Sequence, residues 1–132
     1  MLNKKSFTLI ELLVVVIIIG ILAALALPGF GVTKERALDK EAKANLALIQ
    51  AAEKIYKMEL GSYYPSSGNS TVIADINTFL RVDLPTGGLS WNYRADTDSR
   101  QVTASRLPSS SRVWTLTYTG STANCTGTGC PP

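Results

Sequence analysis

The chain has 132 residues, with 13 Lys and Arg, 10 Asp and Glu, and a net charge of +3. That length bounds it to one domain with room for an added membrane segment, and so small a charge does not by itself argue for nucleic-acid binding. The absence of histidine removes the usual general base near neutral pH and the commonest metal ligand.

Composition changes along the chain. Residues 12–27 contain no charged or polar side chain, 33–60 are rich in Ala, Lys, Glu and Leu, and from 61 onward Ser, Thr, Gly, Pro and aromatics take over. The three textures point to three mechanical parts.

Lys4 and Lys5 precede a run from Phe7 to Leu27 whose members, apart from Thr8 and Glu11, are apolar or Gly. As a helix rising about 1.5 Å per residue, the run is roughly 30 Å long, enough to cross a hydrocarbon core. The lysines are expected on the cytoplasmic side, with the rest of the chain facing outward. A cleaved secretory signal has a similar basic start and apolar stretch, and Ala24-Leu25-Ala26 would be its cleavage site. The length of the stretch and the carboxylate near its start weigh against that alternative.

Glu11 is the informative residue. A carboxylate at the centre of a bilayer core costs about 2–3 kcal/mol, and less near the interface, which makes it a functional candidate by default. The alternative is a side chain that snorkels to the headgroups without a role. A functional Glu11 needs a cation in an apolar setting, and a free α-amino group at Phe7 would supply one if the chain were cut after Ser6.

The segment Lys4-Lys5-Ser6-Phe7-Thr8-Leu9-Ile10-Glu11-Leu12-Leu13, followed by the apolar run, resembles the class III signal of type IV pilins and type II secretion pseudopilins. The resemblance is close over residues 4–31 and looser along the following helix. It implies cleavage by a prepilin peptidase between Ser6 and Phe7, N-methylation of Phe7, and a role for Glu11 in assembly through a neighbour's terminal amine. The family usually has Gly where this chain has Ser6. Gly20 and Pro28 fall where the family often weakens its helix.

Gly20 costs a helix about 1 kcal/mol relative to Ala, and Pro28 about 3 kcal/mol in a helix interior. Either the helix ends at Leu27 and a linker follows, or it continues with a kink, which the early return of a helical pattern favours. That pattern is Leu38, Ala42, Leu46, Ile49, Ala52 and Tyr56, one face of an amphipathic helix. Glu53 and Lys57 lie off the stripe, four apart in the favourable order, and Gly61 is a natural terminator.

Beyond it, Tyr63 to Gly68 reads as a loop, Thr71 to Arg81 as a short helix with Asp75 in its first turns, and Pro85-Thr86-Gly87-Gly88 as a turn. Leu89, Trp91 and Tyr93 alternate on one strand, and Trp114, Leu116 and Tyr118 on another, with Gln101–Arg106 a weaker strand between them. Three strands joined by short polar loops predict an antiparallel sheet whose apolar face covers the helix stripe.

Cys125 and Cys130 enclose Thr-Gly-Thr-Gly. In an outward-facing head a disulfide is the leading reading, contributing about 2 kcal/mol by pinning a flexible tail; the alternative is two free thiols. Asp96 and Asp98 have the spacing of a weak calcium loop, but too few further oxygen ligands accompany them, and a polar hairpin loop is preferred. Arg81, Arg94, Arg100, Arg106 and Arg112 could form a basic face near Trp91 or Tyr93, although scattered arginines are usually solvated surface. Without a histidine base, a phosphate loop or a metal motif, no catalytic set is visible.

The expected architecture is therefore α+β, with a long N-terminal helix packed on a small antiparallel sheet. Residues 1–6 form a leader, 7–31 a transmembrane and filament-core helix, 32–60 an amphipathic helix and 61–132 a head. The resemblance implies a non-enzymatic, cofactor-free and metal-free subunit of a type IV pilus-like filament. Its partners would be copies of itself, prepilin peptidase, a pilus or secretion assembly platform and inner-membrane lipid before assembly. Its end point would be the cell surface, or the periplasm for a pseudopilin. The alternatives are a type II secretion pseudopilin, or a minor pilin displaying an adhesive or DNA-binding head, with nucleic acid left open.

Overall fold

The computed structural model describes residues 6–26 and 29–131. Lys4, Lys5 and Pro28, and with them the expected kink at Pro28, lie outside the described residues. The chain divides into two units, residues 1–37 and 38–132.

In the first unit, helix α1 spans Leu9–Ala26 and has no buried residue. Apart from Glu11 in its first turn, its side chains are apolar all round, the pattern of a helix whose surroundings are lipid or other helices. By length and composition it can cross a membrane. The helix runs through Gly20 without interruption. The weakening expected at Gly20 does not amount to a helix break, because a lone glycine lowers helix propensity while still donating its ladder hydrogen bond. Helix α2, Phe30–Leu60, starts where the Gly29 carbonyl accepts from the N–H and Oγ1 of Thr33 at 3.2 and 3.0 Å.

The second unit holds the core. α2 ends at Gly61, whose φ of +80° suits the residue after a helix, with its N–H bonded to the Lys57 carbonyl. Ala42, Leu46, Ile49 and Ala52 of the predicted stripe are buried; Leu38 and Tyr56 are only partly so. Helix α3, Ile73–Leu80, has Asp75 in its first turn and closes with Arg81 in the left-handed region. The Asn77 side chain bonds both the N–H and the carbonyl of Leu84, which seats that residue in the core.

Five strands follow one another across an antiparallel sheet: β1 Asn69–Ser70, β2 Trp91–Asp96, β3 Gln101–Arg106, β4 Arg112–Thr117 and β5 Asn124–Gly127. The register sets Trp91 opposite Arg106, Val102 opposite Leu116, and Trp114 opposite Cys125. Period-two alternation sends Trp91, Tyr93, Ala95, Val102, Ala104, Trp114 and Leu116 into the core. Tyr118, one residue past β4, joins them.

Two expectations are corrected. The sheet has five strands, not three, because β1 and β5 are short and polar and show no apolar alternation. The Cys125–Cys130 segment is not a flexible tail, since Cys125 lies within a strand paired to β4.

Candidate assembly segment and its supporting head

The N-terminal segment is organised by Thr8 and Glu11. Glu11 Oε2 accepts from the Thr8 N–H at 2.9 Å and from Thr8 Oγ1 at 2.7 Å, while the Glu11 N–H donates to Thr8 Oγ1 at 3.3 Å. This reciprocal arrangement is a capping box, which satisfies donors that a helix start leaves open. Its sequence signature, Thr-x-x-Glu before an apolar run, is present at residues 8–11 and was the signal that residue-type reasoning passed over. The carboxylate is thereby held at the first turn of α1 by its own chain.

Ser6 and Phe7 precede the helix in exposed chain without regular secondary structure, with Phe7 74% exposed. Gly20 sits further along, with open space where a side chain would be. Ser6, Phe7, Thr8 and Glu11 are thus contiguous at one end of an apolar rod.

The head adds no comparable reactive cluster. Among the described residues, no three His, Cys, Asp or Glu side chains converge on a metal position. Asp96 is occupied by the Ser99 N–H at 2.9 Å and the Arg94 guanidinium at 2.8 Å, and these contacts hold its carboxyl below the usual range despite burial. Asp98 caps the Gly68 N–H at 3.2 Å. Both acids organise the β2–β3 hairpin and the loop beside it.

Arg81, Arg94, Arg106 and Arg112 do not form one face, and Arg100 lies in the β2–β3 turn at the surface. Arg94 pairs with Asp96. Arg106 Nη1 binds the carbonyls of Ser90 and Leu107 at 2.9 and 2.8 Å. Arg112 is only 7% exposed; its Nε lies 3.1 Å from Asp39 Oδ1 and its Nη1 donates to the Gly129 carbonyl at 2.8 Å. Both Arg106 and Arg112 lie against the Trp91 ring, at 5.7 and 5.4 Å from its centroid. Arg81 is at the surface, 3.8 Å from Glu59.

Polar residues that α2 buries were missed. Asp39 accepts from Trp114 Nε1 at 3.0 Å and forms an ion pair with Arg112. Gln50 donates to the carbonyls of Thr117 and Gly120 at 2.6 and 2.8 Å. Glu53, expected on the surface paired with Lys57, is fully buried and bonds Tyr64 and Tyr118. Lys57 lies over the Tyr63 ring instead, 4.4 Å from its centroid. The available signal was angular: Asp39 and Glu53 lie two turns either side of Leu46, on its own face. Cys125 and Cys130 form a disulfide.

A family model described as the prokaryotic N-terminal methylation motif matches residues 1–27. The chain is 48% identical over 61 residues to the type IV major pilin protein PilA of Myxococcus xanthus, covering 46% of this chain and 28% of that protein. It is 34% identical over 65 residues to the type II secretion system core protein G of Escherichia coli, covering 49% and 44%. Against the Pseudomonas aeruginosa core protein G the identity is 42% over 65 residues, covering 49% and 45%. The chain thus matches less than half the length of each of these relatives. No solved structure matches it.

The fold is α+β and pilin-like, with an apolar N-terminal helix ahead of a small antiparallel sheet. The N-terminal segment carries the methylation motif, and the homologues are named as a type IV pilin and type II secretion pseudopilins.

Proposed function

We propose that this chain is a structural, non-enzymatic subunit of a type IV pilus-like filament. The observation that carries the reading is an N-terminal methylation motif on a helix that, Glu11 apart, is apolar all round and buries nothing within its own chain. Such a helix needs lipid or other helices around it. α1 first holds the chain in the inner membrane, with Lys4 and Lys5 on the cytoplasmic side. Prepilin peptidase cuts between Ser6 and Phe7, and the new Phe7 amine is methylated. The assembly platform then lifts α1 out of lipid into a bundle of its copies.

Lipid is as apolar as these side chains, so close packing and polar pairing drive helix association there. Glu11 supplies the pairing. In the uncut chain its carboxylate is satisfied by Thr8; after cutting, a neighbour's terminal ammonium offers a charged donor, which makes a stronger hydrogen bond than a neutral one. That exchange sets the register of one subunit on the next.

Mass spectrometry of the mature protein tests the first step: a methylated Phe7 terminus is expected, and a chain starting at Leu27 would show a cleaved secretory signal instead. Glu11→Val is expected to leave the chain processed and membrane-held but unassembled; normal filaments from this variant would remove the register role.

A second reading, a type II secretion pseudopilin in a periplasmic filament, is favoured by the similarity to core protein G. Deletion of the gene separates the two: loss of surface pili supports the first reading, and loss of protein secretion with pili intact supports the second.

A further inference from the structure

The loop that leaves α2 is held at its two ends by different chemistry. At the far end, the Gly68 carbonyl accepts the Thr97 N–H at 3.0 Å and the Gly68 N–H donates to Asp98 at 3.2 Å. The Thr97 hydroxyl also donates to the Pro65 carbonyl. These contacts fasten the loop to the β2–β3 hairpin. At the near end the chain turns at Gly61, with a φ of +80°, and the Tyr64 N–H then donates to Glu53 Oε2 at 2.9 Å. Tyr64 is only 8% exposed and meets Tyr56 and Phe79 at centroid distances of 5.9 and 4.9 Å. Tyr63 rests on Tyr118 at 4.3 Å.

Glu53 is fully buried, and its partners, the Tyr64 N–H and the Tyr118 hydroxyl, are neutral. A carboxylate in such surroundings without a cation carries the cost of its lost hydration. The groups that face it do not relieve that cost. On α2 they are Tyr56 and Lys57, whose ammonium lies 4.4 Å from the Tyr63 ring centroid. From the loop come Tyr63 and Tyr64. From the end of β4 comes Tyr118, on which the charge of Asp96 acts, and Asp96 is itself an acid already paired with Arg94. Burial accordingly pushes the Glu53 carboxyl up to about 7, against the pull of the Tyr64 and Tyr118 hydrogen bonds. The protonated acid keeps both contacts, with Oε2 accepting from Tyr64 and the Oε1 hydroxyl donating to the Tyr118 oxygen.

We infer that residues 61–64 are a strap that a protonated Glu53 holds shut and an ionised Glu53 lets open. Around the carboxyl, α2 is fixed by its own helical ladder, and Tyr118 is fixed by its N–H bond to the Arg100 carbonyl at 2.9 Å. The strap lies outside helix and sheet, so it is the wall that yields at least cost. Once it opens, water reaches the carboxylate and the Tyr63 and Tyr64 rings come to the surface, while Gly68 stays on the hairpin. The head therefore presents a closed surface in acid and an aromatic one in alkali. This device belongs to the head and does not depend on the assembly reading.

The test is hydrogen exchange of the full-length chain in detergent, followed from pH 5 to pH 8 and corrected for the intrinsic pH dependence of exchange. Protection of the Tyr64 N–H is expected to fall at least about tenfold across that range, as linkage requires of a carboxyl that ionises more readily in the open form. Protection of the Thr97 N–H, at the fastened end, is expected to stay level. Glu53→Gln is expected to keep Tyr64 at its acid-side protection throughout. Tyr64 protection that does not change in the wild type, that falls as far in Glu53→Gln, or that falls only together with Thr97 and the core of α2 overturns the strap. Tyr118→Phe is the second variant, and it serves where Glu53→Gln does not fold. Losing a hydrogen bond to the carboxylate moves the midpoint of the Tyr64 change to higher pH, and an unmoved midpoint overturns the assignment to Glu53.

Discussion

Glu53 Oε1 accepts the phenolic hydrogen of Tyr118 at 3.2 Å, while Glu53 Oε2 accepts the Tyr64 N–H at 2.9 Å. One side chain therefore ties α2 to both the end of β4 and the loop after α2, with no exposed surface of its own. Burial pushes the Glu53 carboxyl up to about 7, although the hydrogen bonds from Tyr64 and Tyr118 pull it down. Burial, then the Glu53 charge, pushes the Tyr118 phenol up as well.

A carboxyl at about 7 in the folded head, against an ordinary 4.5, binds more proton folded than unfolded between those values. The associated stability is fully present below pH 4.5 and is lost as pH rises through 7, by roughly 3 kcal/mol in all. Glu53→Gln is expected to flatten this slope. Thermal unfolding of the detergent-solubilised chain at pH 5 and pH 8 checks it; an unchanged slope in the variant would assign the pH dependence to another group.

Asp39 answers Arg112 in the interior, where both are nearly excluded from solvent. Removing one member of a buried pair leaves the other uncompensated, at about 3–5 kcal/mol. Asp39→Ala also takes the acceptor from Trp114 Nε1. The expected result is a chemical denaturation midpoint far below that of wild type. A midpoint equal to the wild-type value would mean that Arg112 finds another acceptor at no cost.

Gly127 has a φ of +100°, and a side chain there would begin 2.1 Å from the Ser111 carbonyl oxygen. Ser111 is backbone and cannot swing aside, so Gly127→Ala must move β5 away from β4. A loss of about 2 kcal/mol or more is expected from the strain alone. Hydrogen exchange should show faster loss of protection at Thr128, whose N–H bonds the Ser111 carbonyl at 2.8 Å. Unchanged protection would refute the clash.

Replacing Cys125 and Cys130 together by Ser removes a short covalent loop worth about 2 kcal/mol. It also frees Gly129, whose carbonyl is held by Arg112. The melting temperature should fall by several degrees, and reduction of the wild-type protein should reproduce the fall. Reduction without any shift would show that strand pairing alone holds this segment.

Much of this arrangement was legible from spacing. The run from Phe7 to Leu27 carried α1, the stripe through Ala42, Leu46 and Ile49 carried the buried face of α2, and alternation at Trp91, Tyr93, Trp114 and Leu116 carried β2 and β4. Asn69–Ser70 and Asn124–Gly127 gave no such sign, since edge strands of two and four residues without apolar alternation are defined by what they pair with. Glu53 was misplaced and Asp39 missed because the charge of each argued for solvent while its angle on the helix argued for the core. The angle prevailed, since each acid found donors there. The Thr8–Glu11 contact has a sequence signature, Thr-x-x-Glu ahead of an apolar run, but a carboxylate beside a membrane-length stretch reads first as an ion in search of a cation.

The sheet's margins matter for a head that the proposed filament would hold among identical neighbours. β1 offers only two residues of ladder, and β5 turns back on itself through the cystine and two left-handed glycines. Neither border gives a foreign strand enough backbone to zip onto. In the proposed filament, contacts between neighbouring heads would then be left to side chains, where shape and charge can choose among them.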